Sequence, residues 1–239
     1  MKKLLYFVAE DWYFCSHRLE LAQAALEQGF DVSVLCRVNK HRQIIEDAGI
    51  RLIPLQIDRA SLSLFSNLSV LRQIYRTFKK VQPDIVHNVA QKPVVLGSIA
   101  ALLAGVPRVI NALGGLGFVF ISSTLKAGIL PAVLSALYRA LFNRANTTLI
   151  VQNRDDLQYF LKHLKIYPDR ISLILGAGVD TEQFAYHDLP QTTKVRVVLV
   201  ARMLKDKGVD EFLQAAEILN HKNLNAEFEL IGDIDPGNP

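Results

Sequence analysis

The sequence predicts a doubly wound α/β fold, a parallel sheet with helices on both faces. Three observations carry that expectation. Short apolar runs such as LLYFVA (4–9) and DVSVLC (31–36) alternate with segments of helical periodicity. Glycines stand where helices should stop, at Gly29, Gly49 and Gly105. The strand-like runs are almost continuously apolar, as in strands covered on both faces.

Residues 4–9 open the chain as the first strand. The run is too short for a signal-peptide core, and Glu10 and Asp11 follow at once. A helix over 17–28 lines up Leu19, Ala22, Ala25 and Leu26, and strand 31–36 follows Gly29. A helix over 41–48, a stop at Gly49 and a strand over 50–55 repeat the unit. Asn67 is a suitable cap for a helix over 68–81 that ends before Pro83, ahead of strand 84–89. Helix 94–104, Gly105 and strand 108–110 come next. A glycine-rich loop then leads to a long apolar helix over 125–144, in which Pro131 marks either a kink or a late start. Strand 148–151, helix 155–164 and strand 171–175 complete this part. Asn153 caps that last helix through the Asp156 amide, with Asp155 and Asp156 in its first turn. In such a sheet the crossovers are right-handed and ligands gather at the carboxyl ends of the strands.

The polar stretch YHDLPQTTK (186–194) reads as a linker between a first domain over 1–185 and a second over 195–239. Strand 196–201, helix 209–219 and strand 227–231 restart the rhythm, and the chain ends in DIDPGNP after Gly232. Two strands and one helix in 45 residues fall below the size at which a core usually sustains itself. The chain is therefore expected to be cut short, with little activity alone and a marginal final segment.

Composition removes several classes. Of 239 residues, 50% are hydrophobic and 21% charged, with a mean hydropathy of +0.20, which excludes a disordered tail or a coiled coil. Cys15 and Cys36 are too few for a disulfide scaffold or a four-ligand zinc site, so a reducing compartment is expected. Residues 1–190 carry a net +6 and residues 191–239 a net −2, for +4 in all, and the basic first part suits phosphates or a lipid surface. Its scatter argues against nucleic acid. The longest uncharged run, 109–125, has 17 residues and several glycines, short of the roughly 20 needed to span a bilayer.

Candidate site residues lie at expected strand ends. The segment AEDWYFCSHR (9–18) has no glycine, so the dinucleotide fingerprint is absent and an oxidoreductase loses its main support. It instead offers Asp11, Trp12, Tyr13, His17 and Arg18 for sugar stacking, hydrogen bonding and phosphate contact. Alternatively, Trp12 and Tyr13 simply plug the end of the sheet. His87 is either a satisfied core group or a site residue. Lys92, at a helix start, opposes the dipole unless an anion sits there. In NALGGLGFVF (111–120), Gly114, Gly115 and Gly117 allow close backbone approach to a ligand, or form an ordinary loop. Gly176 and Gly178 free backbone amides to face an anion. The apolar, basic-fringed helix over 125–144 fits either a membrane interface or burial between domains. Arg202 and Lys207, in RMLKDKGV (202–209), bring charge to a helix N-terminus that already favours phosphate.

As an ordered set, DWYFCSHR, HNVAQKP, NALGGLGFVF, VQNRDD, GAGVD, RMLKDKGV and IGDIDPGNP resemble retaining glycosyltransferases of family 4, which have the GT-B fold. The resemblance is nearest to bacterial enzymes of capsule, O-antigen and lipid-linked glycan assembly. It implies two facing Rossmann-like domains with the active site between them: a complete N-terminal sheet for the acceptor and the beginning of a C-terminal domain for the nucleotide sugar. By resemblance, the reaction moves a sugar, often an N-acetylhexosamine, from a nucleotide sugar, UDP-linked, to a polyprenyl-diphosphate-linked acceptor. Arg202 and Lys207 would be catalytic, binding the donor diphosphate and stabilising the leaving group with no metal or other cofactor. Gly176 and Gly178 would also serve the donor. Asp11, His17, Arg18, His87, Lys92, Gly114, Gly115 and Gly117 would serve the acceptor. The expected location is cytoplasmic, peripheral at the inner face of the cytoplasmic membrane. Two departures stand out. The first loop is DWYFCSHR where many members have a Gly-Gly loop, and Leu113 precedes Gly114 where many have a histidine. The E-x7-E segment that holds the donor ribose in the family would lie beyond residue 239. The alternative class is a non-catalytic binding module or one half of a split glycosyltransferase.

Overall fold

A computed structural model describes residues 1–57, 64–115, 129–176, 178–182, 184–188, 193–222 and 224–233. Two compact units divide the chain, Met1–Gly178 and Val179–Pro239.

The first unit runs β1 (Lys3–Glu10), α1 (Asp11–His17), α2 (Leu19–Glu27), β2 (Asp31–Arg37), α3 (Arg42–Asp47), β3 (Arg51–Pro54), α4 (Leu64–Val81), β4 (Ile85–Val89), α5 (Gln91–Ala104), β5 (Arg108–Leu113), α6 (Ile129–Phe142), β6 (Thr147–Val151), α7 (Arg154–Lys162) and β7 (Ile171–Leu173). The strands form one parallel sheet in the order β3-β2-β1-β4-β5-β6-β7. The order reverses direction beside β1, where such sheets open a crevice at their carboxyl ends.

Strand β1 shows why these strands lack polar alternation. Leu5 and Phe7 point to one face with Ile74 and Phe78 of α4 and Ala100 of α5. Leu4, Tyr6 and Val8 point to the other with Phe14, Ala22 and Ile45 of α1, α2 and α3. Both faces are buried, and each such side chain contributes about 1.5–3 kcal/mol relative to exposure. A third cluster joins Leu113, Leu149 and Val151 of the sheet to Tyr138, Phe142 and Phe160 of α6 and α7.

Three expected boundaries are corrected. The segment after β1, expected as a loop, is helical from Asp11 to His17, with Asp11 and Phe14 turned inward and Arg18 breaking the helix at φ −136°. Helix α4 begins at Leu64, so Asn67 lies within it and does not cap it. Helix α5 begins at Gln91, with Pro93 in the first turn, where a missing amide proton costs nothing. The turn into α5 is made by Ala90 at φ +73°, its amide donating to the Ala112 carbonyl at 3.0 Å.

The second unit holds β8 (Val195–Val200), α8 (Val209–His221) and β9 (Ala226–Ile231), with β8 and β9 parallel.

Candidate functional site

In the first unit, a cavity of about 310 Å³ opens toward the carboxyl ends of β4, β5 and β6. The α1–α2 junction supplies Ser16, His17 and Arg18, β4 supplies His87, Gln152 stands just beyond β6, and Gly176 and Gly178 follow β7. The apolar lining includes Leu19, Ala112, Ile150 and Ile174. The mixture suits a ring with one polar and one apolar face, or a small polar group.

Arg18 is 9% exposed, and its Nη1 donates to the His17 carbonyl at 2.7 Å. Its Nε is buried with no hydrogen-bond partner, and it makes no ion pair among the described residues. His87 is 6% exposed and its Nε2 is likewise buried without a partner. Its ring lies 5.1 Å from that of Tyr6. Burial, with the Arg18 charge adding to it, pushes the His87 imidazole down to about 3, so it is neutral at physiological pH. Burial likewise raises the Tyr6 phenol to about 12, against a smaller opposing pull from Arg18. His17 is exposed at the rim, its Nδ1 2.6 Å from the Ser16 hydroxyl and its ring stacked on Tyr13 at 4.2 Å.

Asp11 has a different place from the one expected. Its side chain is fully buried and accepts the backbone amides of Trp12 (2.7 Å), Asn39 (2.6 Å) and His41 (3.0 Å). Burial alone would raise its pKa, but those bonds outweigh it and hold the carboxyl below its ordinary value. A carboxylate committed in this way pins the turn after β2 to the end of β1, and has no free face for an acceptor. Trp12 is 41% exposed, whereas Tyr13 packs partly against the core, so only the tyrosine approaches the plug reading.

Lys92 stands half-buried in the first turn of α5. Gly114 lies close to the cavity, since a β-carbon there would sit 3.4 Å from Gln152 Oε1 and 4.0 Å from the Tyr13 hydroxyl. Gly115 faces open space, and Gly117 lies outside the described residues. The sequence reading separated Gly176 and Gly178 from His17, Arg18 and His87, yet all five line one cavity. Ser16 and Gln152 were missed. For Gln152 the signal was its position, between a strand end and a helix cap.

In the second unit, Arg202 and Lys207 are exposed after β8. The chain is fixed there by bonds from the Ala201 amide to the Ile231 carbonyl (3.0 Å) and from the Met203 amide to the Asp233 carbonyl (3.2 Å). Gly232 allows this approach, because a β-carbon there would strike the Ala201 carbonyl oxygen. Lys207 closes a short 3-10 turn (Lys205–Lys207), and Gly208 at φ +76° starts α8. Among the described residues, no cluster of three or more His, Cys, Asp or Glu is placed to hold a metal.

Comparison with known proteins adds a family and a fold. Residues 3–153 match the family model described as glycosyl transferase 4-like. The chain is 26% identical over 230 residues to an N,N'-diacetylbacillosaminyl-diphospho-undecaprenol alpha-1,3-N-acetylgalactosaminyltransferase of Campylobacter jejuni, covering 91% of this chain and 60% of that protein. It is 29% identical over 216 residues to a UDP-Gal:alpha-D-GlcNAc-diphosphoundecaprenol alpha-1,3-galactosyltransferase of Escherichia coli, covering 85% of this chain and 54% of that one. The chain thus spans little more than half the length of these relatives. A crystal structure of a glycosyltransferase from Rickettsia africae superposes with a TM-score of 0.69 at 17% identity, covering 97% of this chain and 60% of the other. That likeness establishes the fold, the α/β architecture of the GT-B type.

Proposed function

The chain belongs to the glycosyl transferase 4-like family, and from that premise we propose that it serves transfer of a sugar from a UDP-sugar to a polyprenyl-diphosphate-linked acceptor in surface polysaccharide or glycan assembly. One observation carries the reading. Two relatives that match 91% and 85% of the chain are both named for transfer to diphospho-undecaprenol-linked sugars.

The residues fit separate tasks in this reaction. Arg202 and Lys207 neutralise the charge that develops on the departing nucleoside diphosphate, a role that cations at a helix N-terminus can fill without a metal. The cavity of the first unit receives the acceptor. Leu19 and Ile174 cover an apolar ring face, and Gln152 and His17 offer hydrogen bonds to hydroxyls. The transferred sugar is a hexose or an N-acetylhexosamine.

The reaction takes place at the inner face of the cytoplasmic membrane, where the protein is peripheral. Among the described residues no helix is long and apolar enough to cross a membrane. On α6, Leu134, Leu137, Tyr138, Leu141 and Phe142 pack with the sheet, and the exposed Val133 and Arg139 leave one apolar and one basic side chain for the interface.

A transfer assay tests the proposal. A chain extended to the length of those relatives is incubated with radiolabelled UDP-Gal, UDP-GalNAc or UDP-GlcNAc and undecaprenyl-diphosphate-linked monosaccharides. Label is expected in the lipid phase from one donor and one acceptor. No transfer from any nucleotide sugar overturns the reading.

A further inference from the structure

The cavity of the first unit contains an electrostatic imbalance. Arg18 is a permanent cation, nine-tenths buried, whose Nε has no partner and whose Nη1 donates to a neutral carbonyl. Burying a charge is costly unless an opposite charge meets it. The carboxylate nearest in sequence, Glu20, also lines the cavity but is exposed and makes no ion pair with Arg18. Asp11 is fully committed to backbone amides.

A second orphan belongs to another residue that lines the same cavity. His87 Nε2 is buried and unpartnered, and it comes from β4, far in sequence from Arg18. Its ring is held against Tyr6 at 5.1 Å, so its direction is set by packing. A neutral imidazole does not compete with Arg18 for an anion, and in one tautomer it donates a hydrogen bond to that anion. Two unsatisfied nitrogens, one charged and one neutral, thus line a single cavity.

From these observations the geometry points to a phosphate subsite at Arg18 and His87, which takes a phosphate of the acceptor's diphosphate with Arg18 as the charge partner and His87 Nε2 as a hydrogen-bond partner. The inference rests on the proposed transferase reading for the identity of the ligand. The cavity is small for a ligand site, at about 310 Å³. It therefore suits a phosphate and an adjoining ring more than a whole lipid-linked oligosaccharide. Exposed Ser16 and His17 at the rim give the rest of the acceptor a way out. Planar guanidinium and tetrahedral phosphate are well matched, since two N–H groups can meet two oxygens.

Titration calorimetry on the 239-residue protein tests this, with farnesyl-diphosphate-linked N-acetylglucosamine, N-acetylglucosamine 1-phosphate, inorganic phosphate, UDP and N-acetylglucosamine as probes. The lipid-linked sugar diphosphate is expected to bind at least tenfold tighter than inorganic phosphate or UDP. Arg18→Gln is expected to weaken it at least tenfold, Arg18→Lys less, and His87→Gln about threefold. Arg42→Gln, which removes a cation paired with Glu46 on the surface, should leave it unchanged. In wild type, the probe should also shift the ¹⁵N resonances of the His87 ring, a readout that survives if Arg18→Gln fails to fold.

Equal affinity of wild type and folded Arg18→Gln, or unmoved His87 resonances at saturation, overturns the subsite. Tighter binding of UDP than of the lipid-linked probe assigns the cavity to the donor and overturns the acceptor reading, and equal affinity for inorganic phosphate does the same. Transfer activity is measured separately on the chain extended to the relatives' length, so intact binding without transfer there refutes the proposed function and leaves the subsite standing.

Discussion

The side-chain oxygen of Asn88 occupies the space in which a β-carbon on Gly97 would stand. Helix α5 therefore approaches β4 more closely than any residue but glycine permits, and Phe7 Cδ1 closes the site at 2.9 Å. Asn88 cannot easily yield, because its Nδ2 donates to Asn111 Oδ1 at 2.9 Å, which also accepts from the Ser98 hydroxyl at 3.0 Å. Gly97→Ala is expected to cost about 1–3 kcal/mol through overpacking. Urea denaturation checks it, and an unchanged midpoint contradicts the close contact.

Asp11→Ala should be as damaging, by a different route. It removes the charged acceptor from the part-buried amide bonds of Asn39 and His41, at about 1.5–3 kcal/mol for each bond to a charged group. Because the folded carboxyl is held below its ordinary value, its contribution is complete above about pH 3.8 and fades as pH falls through the lower folded value. Amide hydrogen exchange at Asn39 and His41 should accelerate in Asp11→Asn even at neutral pH. Unchanged exchange would show that the three bonds do not hold the turn.

His87 should not titrate between pH 5 and 8. Below about pH 6.5 the unfolded chain takes up a proton that the folded chain refuses, down to about pH 3. The contribution of His87 to stability is then constant above about pH 6.5 and falls by up to about 1.4 kcal/mol per pH unit below it. Ring resonances of His87 followed by NMR, and denaturation of wild type against His87→Gln at pH 7 and pH 5, measure both effects. A midpoint near 6.5 in the NMR titration contradicts the burial argument.

In the chain extended to the relatives' length, Arg202→Ala and Lys207→Ala should each lower turnover by about 10²-fold or more in the transfer assay, since each meets charge on the leaving diphosphate. The effect should fall on kcat more than on KM. Rates near wild type in both variants refute their assignment.

Ala90→Gly should stabilise the first unit despite replacing a stiffer residue. An alanine at φ +73° carries strain of about 1–3 kcal/mol, against about 0.5–1 kcal/mol of added unfolded-state entropy for glycine. A higher melting temperature is the expected result, and a lower one contradicts the strain.

The alternation of strands and helices was legible because Leu4 to Val8 bury both faces of the central strand and leave an unbroken apolar run. Helix α1 was not legible, because its inward side begins with the polar Asp11 and the buried residue just past its end is Arg18. Asp11, Phe14 and Arg18 follow helical spacing, but only Phe14 registers as apolar. The early start of α5 was hidden for a related reason, since its turn uses Ala90 and no glycine announces it. At the cavity, His17 and Arg18 were singled out in the sequence by their place after the first strand, and His87 by its place on the fourth. Their company with Gln152, Gly176 and Gly178 depends on crossovers that bring β6 and β7 alongside β5, which no local pattern records.

The strand order also dictates a timetable. Strand β1 pairs with β2 on one side and with β4 on the other, Leu4 lying opposite Ile85. Among the described residues of the first unit no hairpin nucleates the sheet, and each pairing of its parallel strands must close a long loop, which slows folding. On the ribosome, the apolar centre of β1 has only one neighbour until residues 85–89 have emerged. Until then the edge of β1 that will meet β4 is open to other chains, and the interval in which a chaperone is most useful is set by the synthesis of α4.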